Sequence, residues 1–284
     1  MFKKYYLLTK PGIIRGNAIT ALAGFLLASK GNIDIWLLLA TIAGISLIMA
    51  SGCVFNNYID RNIDKKMTRT KSRALVIRSV PTINALIYAS LIGIAGFILL
   101  SIYTNLTTVI IGVIGFVDYI VLYGLAKRRS VHGTLVGSIS GATPPVAGYT
   151  AVTGSLDVGA ILLFLILVFW QMPHFYAIAI RRIDDYKKAS IPVLPIKSGM
   201  KQTKIQIFLY ILAFMCATTL LFITGYAGIT YLIVMLGVGL YWLWIAIKGF
   251  EAKDNSLWAK SLFLFSLKVL LVFSVMLSID VFVP

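Results

Sequence analysis

The chain has 284 residues, 59% of them hydrophobic and 13% charged, with a formal net charge of +16 and a mean hydropathy of +0.91. A soluble domain is closer to half apolar and a quarter charged, so this chain has more apolar surface than a globule can bury, and lipid must cover the rest. The basic residues sit in short gaps between apolar runs, where cations set topology and meet anionic headgroups or phosphates, which argues against nucleic acid as a partner.

Nine segments hold the roughly 20 mostly apolar residues that a helix needs to cross a bilayer, at about 13–29, 36–55, 83–103, 107–126, 132–152, 158–179, 204–224, 227–247 and 261–282. They predict an all-α integral membrane protein, a bundle of nine transmembrane helices in one domain over residues 1–284. The first run follows a short Lys-containing start and reads as a retained helix, not a cleaved signal. Cys53 and Cys216 fall inside apolar runs without metal-ligand spacing and read as packing residues.

The gaps alternate in character. Those at 29–35, 103–107, 153–158 and 224–227 are short and almost uncharged, whereas the others carry the cations, so that 24 of the 26 Lys and Arg lie on one side. The exceptions are Lys30 and Lys268, the latter placed to snorkel from the ninth helix. The positive-inside rule then expects a cytoplasmic N-terminus and, with an odd helix count, an external C-terminus.

The second helix ends in Ser51-Gly-Cys-Val-Phe-Asn-Asn-Tyr-Ile-Asp-Arg-Asn-Ile-Asp64. If the helix continues, Asn56, Asp60 and Asp64 stack on one face at i, i+4 and i+8. Two carboxylates so placed repel each other, and a hard divalent cation such as Mg²⁺, shared with substrate phosphates, would turn that repulsion into binding. The plainer alternative is a solvated helix end paired with Arg61, Lys65 and Lys66. Next comes Thr68-Arg-Thr-Lys-Ser-Arg73, a cluster of cations and hydroxyls able to close over a phosphate. The fourth helix ends Tyr123-Gly-Leu-Ala-Lys127-Arg-Arg129, and the sixth carries Trp170-Gln-Met-Pro-His174 and ends near Arg181-Arg-Ile-Asp184-Asp185. Each basic cluster alone reads as topogenic. Three even-numbered helices bringing acid, amide, phenol and cation to one membrane face describe a site for a metal-bound polyphosphate with an apolar tail.

These motifs resemble the signature of the UbiA-type intramembrane prenyltransferases, over essentially the whole chain. The resemblance is most specific to the branch that farnesylates heme, through Thr9-Lys-Pro-Gly12, Gly141-Ala-Thr-Pro-Pro145, Trp170-Gln-Met-Pro-His174 and Ile191-Pro-Val-Leu-Pro195. It implies transfer of the farnesyl group of farnesyl diphosphate to a vinyl group of heme B, with water addition, giving heme O. It further implies Mg²⁺ on Asn56, Asp60 and Asp64, a diphosphate held by Lys71, Arg73, Tyr123, Lys127 and Arg128, and a bacterial cytoplasmic (inner) membrane location. For the heme it offers His174 as iron ligand or positioning group and Arg181, Arg182 and Lys188 as propionate partners; terminal-oxidase assembly factors are implied as partners. Other branches carry a second Asp-x₃-Asp on the sixth helix, but here Ile180 stands four before Asp184, leaving Asp184 as a single further metal ligand. Asn57 stands where relatives often have Asp.

Some residues have blander readings. His132 reads as an interfacial anchor, Asn17 as a hydrogen-bonding residue across helices. Asp118, an acid inside the fourth helix, is costly there and so a functional hypothesis, yet nothing in the resemblance gives it a role. Two rival functions remain: prenylation of an aromatic acid in quinone synthesis, and transport of anionic solutes, which would not need Asp60 and Asp64 on one helix face.

Overall fold

The computed structural model describes residues 2–283; Met1 and Pro284 lie outside the described residues. Among those residues every regular element is helical. The long helices are α1 (Pro11–Ser29), α2 (Ile35–Ile59), α3 (Thr82–Tyr103), α4 (Leu106–Arg129), α5 (Gly133–Thr153), α6 (Val158–Arg181), α7 (Gly199–Ile223), α8 (Ile229–Lys248) and α9 (Asn255–Ile279). All but α5 are long and apolar enough to cross a membrane, eight among the described residues. The remaining expected span, α5, has 21 residues but is rich in Gly, Ser and Thr. It needs little hydropathy because protein surrounds it: every residue from Ala142 to Ala151 is buried, against α1, α4 and α6.

Small residues let these helices touch. A Cβ on Gly24 of α1 would lie 2.1 Å from the Pro145 carbonyl oxygen, and one on Gly148 of α5 would lie 2.0 Å from that of Ala21. Only hydrogen fits there, the usual solution where backbones meet in lipid. The lipid side is the reverse of a soluble surface. On α3, Ile83, Ile87, Leu91, Ile94, Ile98 and Ile102 are exposed at helical spacing, while Ala85, Ala89, Gly93 and Gly96 face inward, where Ser51 Oγ of α2 donates to the Ala89 carbonyl.

Two features prepare the site. In α4, residues Asp118–Leu122 form a π-helical turn. At the charged ends of α2 and α6, the segments 61–78 and 182–198 pack on each other through buried Met67, Ala189 and Ile191, and the Thr68 N–H donates to Asp185 Oδ1 at 3.0 Å. Together they cap the bundle.

Candidate active site

A cavity of about 560 Å³ runs from beneath this cap into the bundle, within the range of small-molecule sites. Its mouth is polar, with Asn56, Asp60, Asp64, Arg73 and Lys127, and its interior is lined by apolar residues such as Ile45, Met49, Leu167 and Leu270.

The expected stacking of the acidic motif holds through a slight break. Helix α2 ends at Ile59 and the backbone relaxes at Asp60 (φ −86°, ψ 0°), but Asp60 N–H still reaches the Asn56 carbonyl and Asp64 N–H the Asp60 carbonyl, at 2.9 and 2.8 Å. All three side chains therefore line the cavity, and all are buried. Their partners are not the neighbouring cations. Lys127 Nζ donates to Asp60 Oδ2 at 2.6 Å, Arg128 to Asp60 Oδ1 at 3.3 Å, and Arg73 to Asp64 Oδ2 at 2.6 Å. Arg61 instead lies over the Tyr58 ring, 4.2 Å from its centroid, while Lys65 and Lys66 are exposed, so the solvated-end alternative fails. Burial pushes the Asp60 carboxyl up, but the charge and hydrogen bond of Lys127 outweigh it and hold the group below the usual carboxylate range.

The sequence reading missed Lys10. Its ammonium donates to Asn56 Oδ1 at 2.7 Å and lies 3.4 Å from the Tyr119 hydroxyl; burial brings it down to about 8. Beside it, Asn57 donates from Nδ2 to the Leu8 carbonyl and stays out of the cavity lining, so the N-terminal turn is clasped to α2 by two consecutive amides. A signal was present: Lys10 directly precedes Pro11 in the Thr-Lys-Pro-Gly stretch, but only the fold brings residue 10 to residue 56.

Tyr119 and Tyr123 of α4 stack at 5.9 Å between centroids, and Lys127 Nζ lies 5.6 Å from the centre of the Tyr123 ring. Gly137 of α5 makes room for Tyr123, since a Cβ there would meet the ring at 2.6 Å. Asp118 is buried and is not one of the cavity-lining residues; its Oδ2 accepts the N–H of Ser140, which is, at 3.0 Å. Asn17 lines the cavity but donates to the Ile13 carbonyl of its own helix, not across helices.

Other expected residues lie elsewhere. Lys71 is exposed and off the cavity wall, and Arg69 is the loop cation that lines the cavity beside Arg73. Asp184 is exposed, while buried Asp185 is occupied by Thr68, so neither joins the acidic motif of α2. The reason is geometric: α6 ends at Arg181, and the following turn points Asp184 outward. Arg182 and Lys188 are exposed, and Arg181 sits over the Phe263 ring at 5.5 Å; none of the three lines the cavity. His174 does line it, one helical turn from Trp170.

The donor set fits a hard divalent cation shared with phosphate oxygens. Two buried carboxylates and an amide oxygen are hard ligands, and among the described residues no group of three or more His, Cys, Asp or Glu forms a metal cage. Mg²⁺ takes one or two carboxylates and completes its shell with phosphate oxygens and water.

Residues 17–267 match the UbiA prenyltransferase family. The chain is 55% identical over 281 residues to a protein of Yersinia pseudotuberculosis serotype O:1b (strain IP 31758) named protoheme IX farnesyltransferase, covering 99% of this chain and 95% of that one. It has the same identity and coverage to a protein of that name from Edwardsiella ictaluri (strain 93-146). Among solved structures, a UbiA homolog from Archaeoglobus fulgidus bound to GPP and Mg²⁺ superposes with a TM-score of 0.72 at 12% identity, covering 97% of this chain and 99% of that one. A digeranylgeranylglyceryl phosphate synthase superposes with a TM-score of 0.82 at 21% identity, covering 99% and 98%.

Proposed function

Because the chain belongs to the UbiA prenyltransferase family, we propose that it transfers the farnesyl group of farnesyl diphosphate to a vinyl group of heme B, adding water, to give heme O and diphosphate. The supporting observation is one continuous cavity with Asp60, Asp64, Arg73 and Lys127 at its mouth and an apolar interior containing His174. This also suits the substrate class of the 55% identical relatives.

Bound with the substrate, Mg²⁺ would supply Lewis-acid neutralisation of the diphosphate. Asp60, Asp64 and Asn56 would hold the ion. Arg73, Arg69 and Lys127 face the same space and stabilise charge on the departing diphosphate as the C1–O bond breaks. The stacked Tyr119 and Tyr123 rings present π faces suited to an allylic cation. The vinyl group attacks C1, the resulting cation beside the porphyrin takes a water oxygen, and a proton is lost. The apolar part of the wall, with Ile45, Met49, Leu167 and Leu270, limits water at C1 before that attack. In the cell we place the enzyme in the bacterial cytoplasmic membrane with the charged cap inside, near the assembly of terminal oxidases.

The purified protein in detergent, given Mg²⁺, farnesyl diphosphate and heme B, will form heme O by product mass, and 4-hydroxybenzoate will stay unprenylated. Prenylated hydroxybenzoate with unmodified heme would replace this reading with the quinone-pathway one.

A further inference from the structure

The amide of Gln171, on α6, is buried in the cavity wall and held by its nitrogen end. Its Nε2 donates to the Ser138 carbonyl of α5 at 3.1 Å and to the Leu167 carbonyl of α6 at 2.9 Å. An amide oxygen in that place would face two carbonyl oxygens, so these acceptors fix which end is nitrogen. Oε1 is thereby turned the other way. It accepts from no group among the described residues, yet it is not one of their sealed-off polar atoms, so its open side is the cavity. Helix α5 is shaped around this oxygen. A Cβ on Gly141 would lie 2.0 Å from it, so only glycine leaves it uncovered. Pro144 and Pro145 follow inside the same helix and lack the N–H that the carbonyls of residues 140 and 141 would receive. Thr143 Oγ1 takes the Ser140 carbonyl at 2.8 Å, whereas no side chain among the described residues takes that of Gly141.

A prenyl chain or a porphyrin face has no hydrogen to give such acceptors. Water has two, and it is held in a buried site by polar partners of this kind. Resting on the farnesyl transfer proposed above, we infer that Gln171 Oε1 holds the water that completes the reaction. By that stage the terminal vinyl carbon has bonded to farnesyl C1, the C1–O electron pair has left with diphosphate, and the carbon beside the porphyrin is a cation. A water that donates a hydrogen to Oε1 presents an oxygen lone pair to that carbon. The C–O bond forms, and the proton released goes to the departed diphosphate, a base that the reaction itself supplies. Without the held water, the same cation closes by losing a proton from the adjacent carbon, which gives an alkene lighter than heme O by one water. Gln171 thus decides how the reaction ends and takes no part in the farnesyl transfer that begins it.

The test is the mass of the products formed by the detergent-purified full chain from Mg²⁺, farnesyl diphosphate and heme B. The wild type should give heme O alone, carrying one heavy oxygen when the reaction runs in heavy-oxygen water. Gln171→Met, apolar and of similar length, should raise the ratio of alkene to heme O by roughly tenfold or more, the scale of one lost hydrogen bond. Gly141→Ala should do the same from the other side, because its Cβ first meets the end of the Gln171 side chain and pushes it away. Alkene from either variant supports the assignment, and a role for Gln171 in packing alone would change the rate without changing the product. Heme O as the sole prenylated product of every variant that turns over would overturn the inference. So would loss of all turnover in both variants, since the transfer step does not use this amide. A wild type that yields no prenylated heme would instead overturn the proposed function.

Discussion

Lys10 donates from its ammonium to Asn56 Oδ1 at 2.7 Å, joining the N-terminal turn to the acidic motif 46 residues away. It does so from a left-handed backbone (φ 55°, ψ 64°), a conformation that costs a non-glycine residue about 1–2 kcal/mol. The strain and the contact make opposite demands on the same residue, and this separates function from folding.

Lys10→Gly relieves the backbone and removes the ammonium. It should insert and melt at least as well as wild type while turnover falls by roughly 10–100-fold, the scale of a lost charge-assisted hydrogen bond. Initial rates and thermal melting in detergent check both halves. Full activity in the glycine variant would show Lys10 to be dispensable.

Asp60→Asn and Asp64→Asn keep shape and lose charge. Each should lower turnover by ~10²-fold or more, as removal of one preorganised electrostatic group does, with the protein still accumulating in the membrane. The Mg²⁺ concentration for half-maximal rate should rise in any residual activity. Near-normal rates with unchanged Mg²⁺ dependence would remove these carboxylates from the metal site.

The charge asymmetry predicts that reporters fused at Asn105, Gly154 and Gly225 read external, together with one at Pro284, which lies outside the described residues. Gly225 tests the α7–α8 turn directly, since its φ of 77° marks the reversal. A cytoplasmic signal at any of them would change the helix count.

Asp185 should make the cap pH-sensitive. Burial works against its charge, but hydrogen bonding from Thr68 outweighs this and holds the carboxyl below the ordinary value of about 3.9. Its clasp is therefore fully present above that ordinary value and is lost as pH falls through the lower native one. Hydrogen exchange across 61–78 should rise in acid for wild type, and already be raised at neutral pH in Asp185→Ala. Equal protection in the two proteins at neutral pH would mean Met67 and its apolar neighbours hold the cap alone.

Periodicity and length made the apolar helices readable, because lipid demands them of any span. Even α5 was legible in the segment pattern, at about 132–152, and its burial inside the bundle explains a hydropathy lower than that of the other spans. The acidic motif was readable because its spacing is local, and so was the Tyr123–Lys127 pair. What could not be read were contacts across the fold: Lys10 on Asn56, and Arg69 rather than Lys71 beside Arg73 on the cavity wall. Asp184 shows the opposite failure. Its position in the chain suggested a ligand, but the turn after Arg181 exposes it and gives its neighbour Asp185 to Thr68.

The π turn at Asp118–Leu122 gives α4 one residue more than an α-helix would use for the same height. Beyond it the helix is out of phase by one step, about 100°. Gly115, before the turn, meets Thr143 of α5, while Lys127, after it, meets Asp60 of α2. Deleting Ile120, Val121 or Leu122 would leave every site residue in the sequence and still swing Lys127 off its acid. In this stretch, chain length itself is therefore under constraint, and insertions or deletions here should be tolerated less than substitutions.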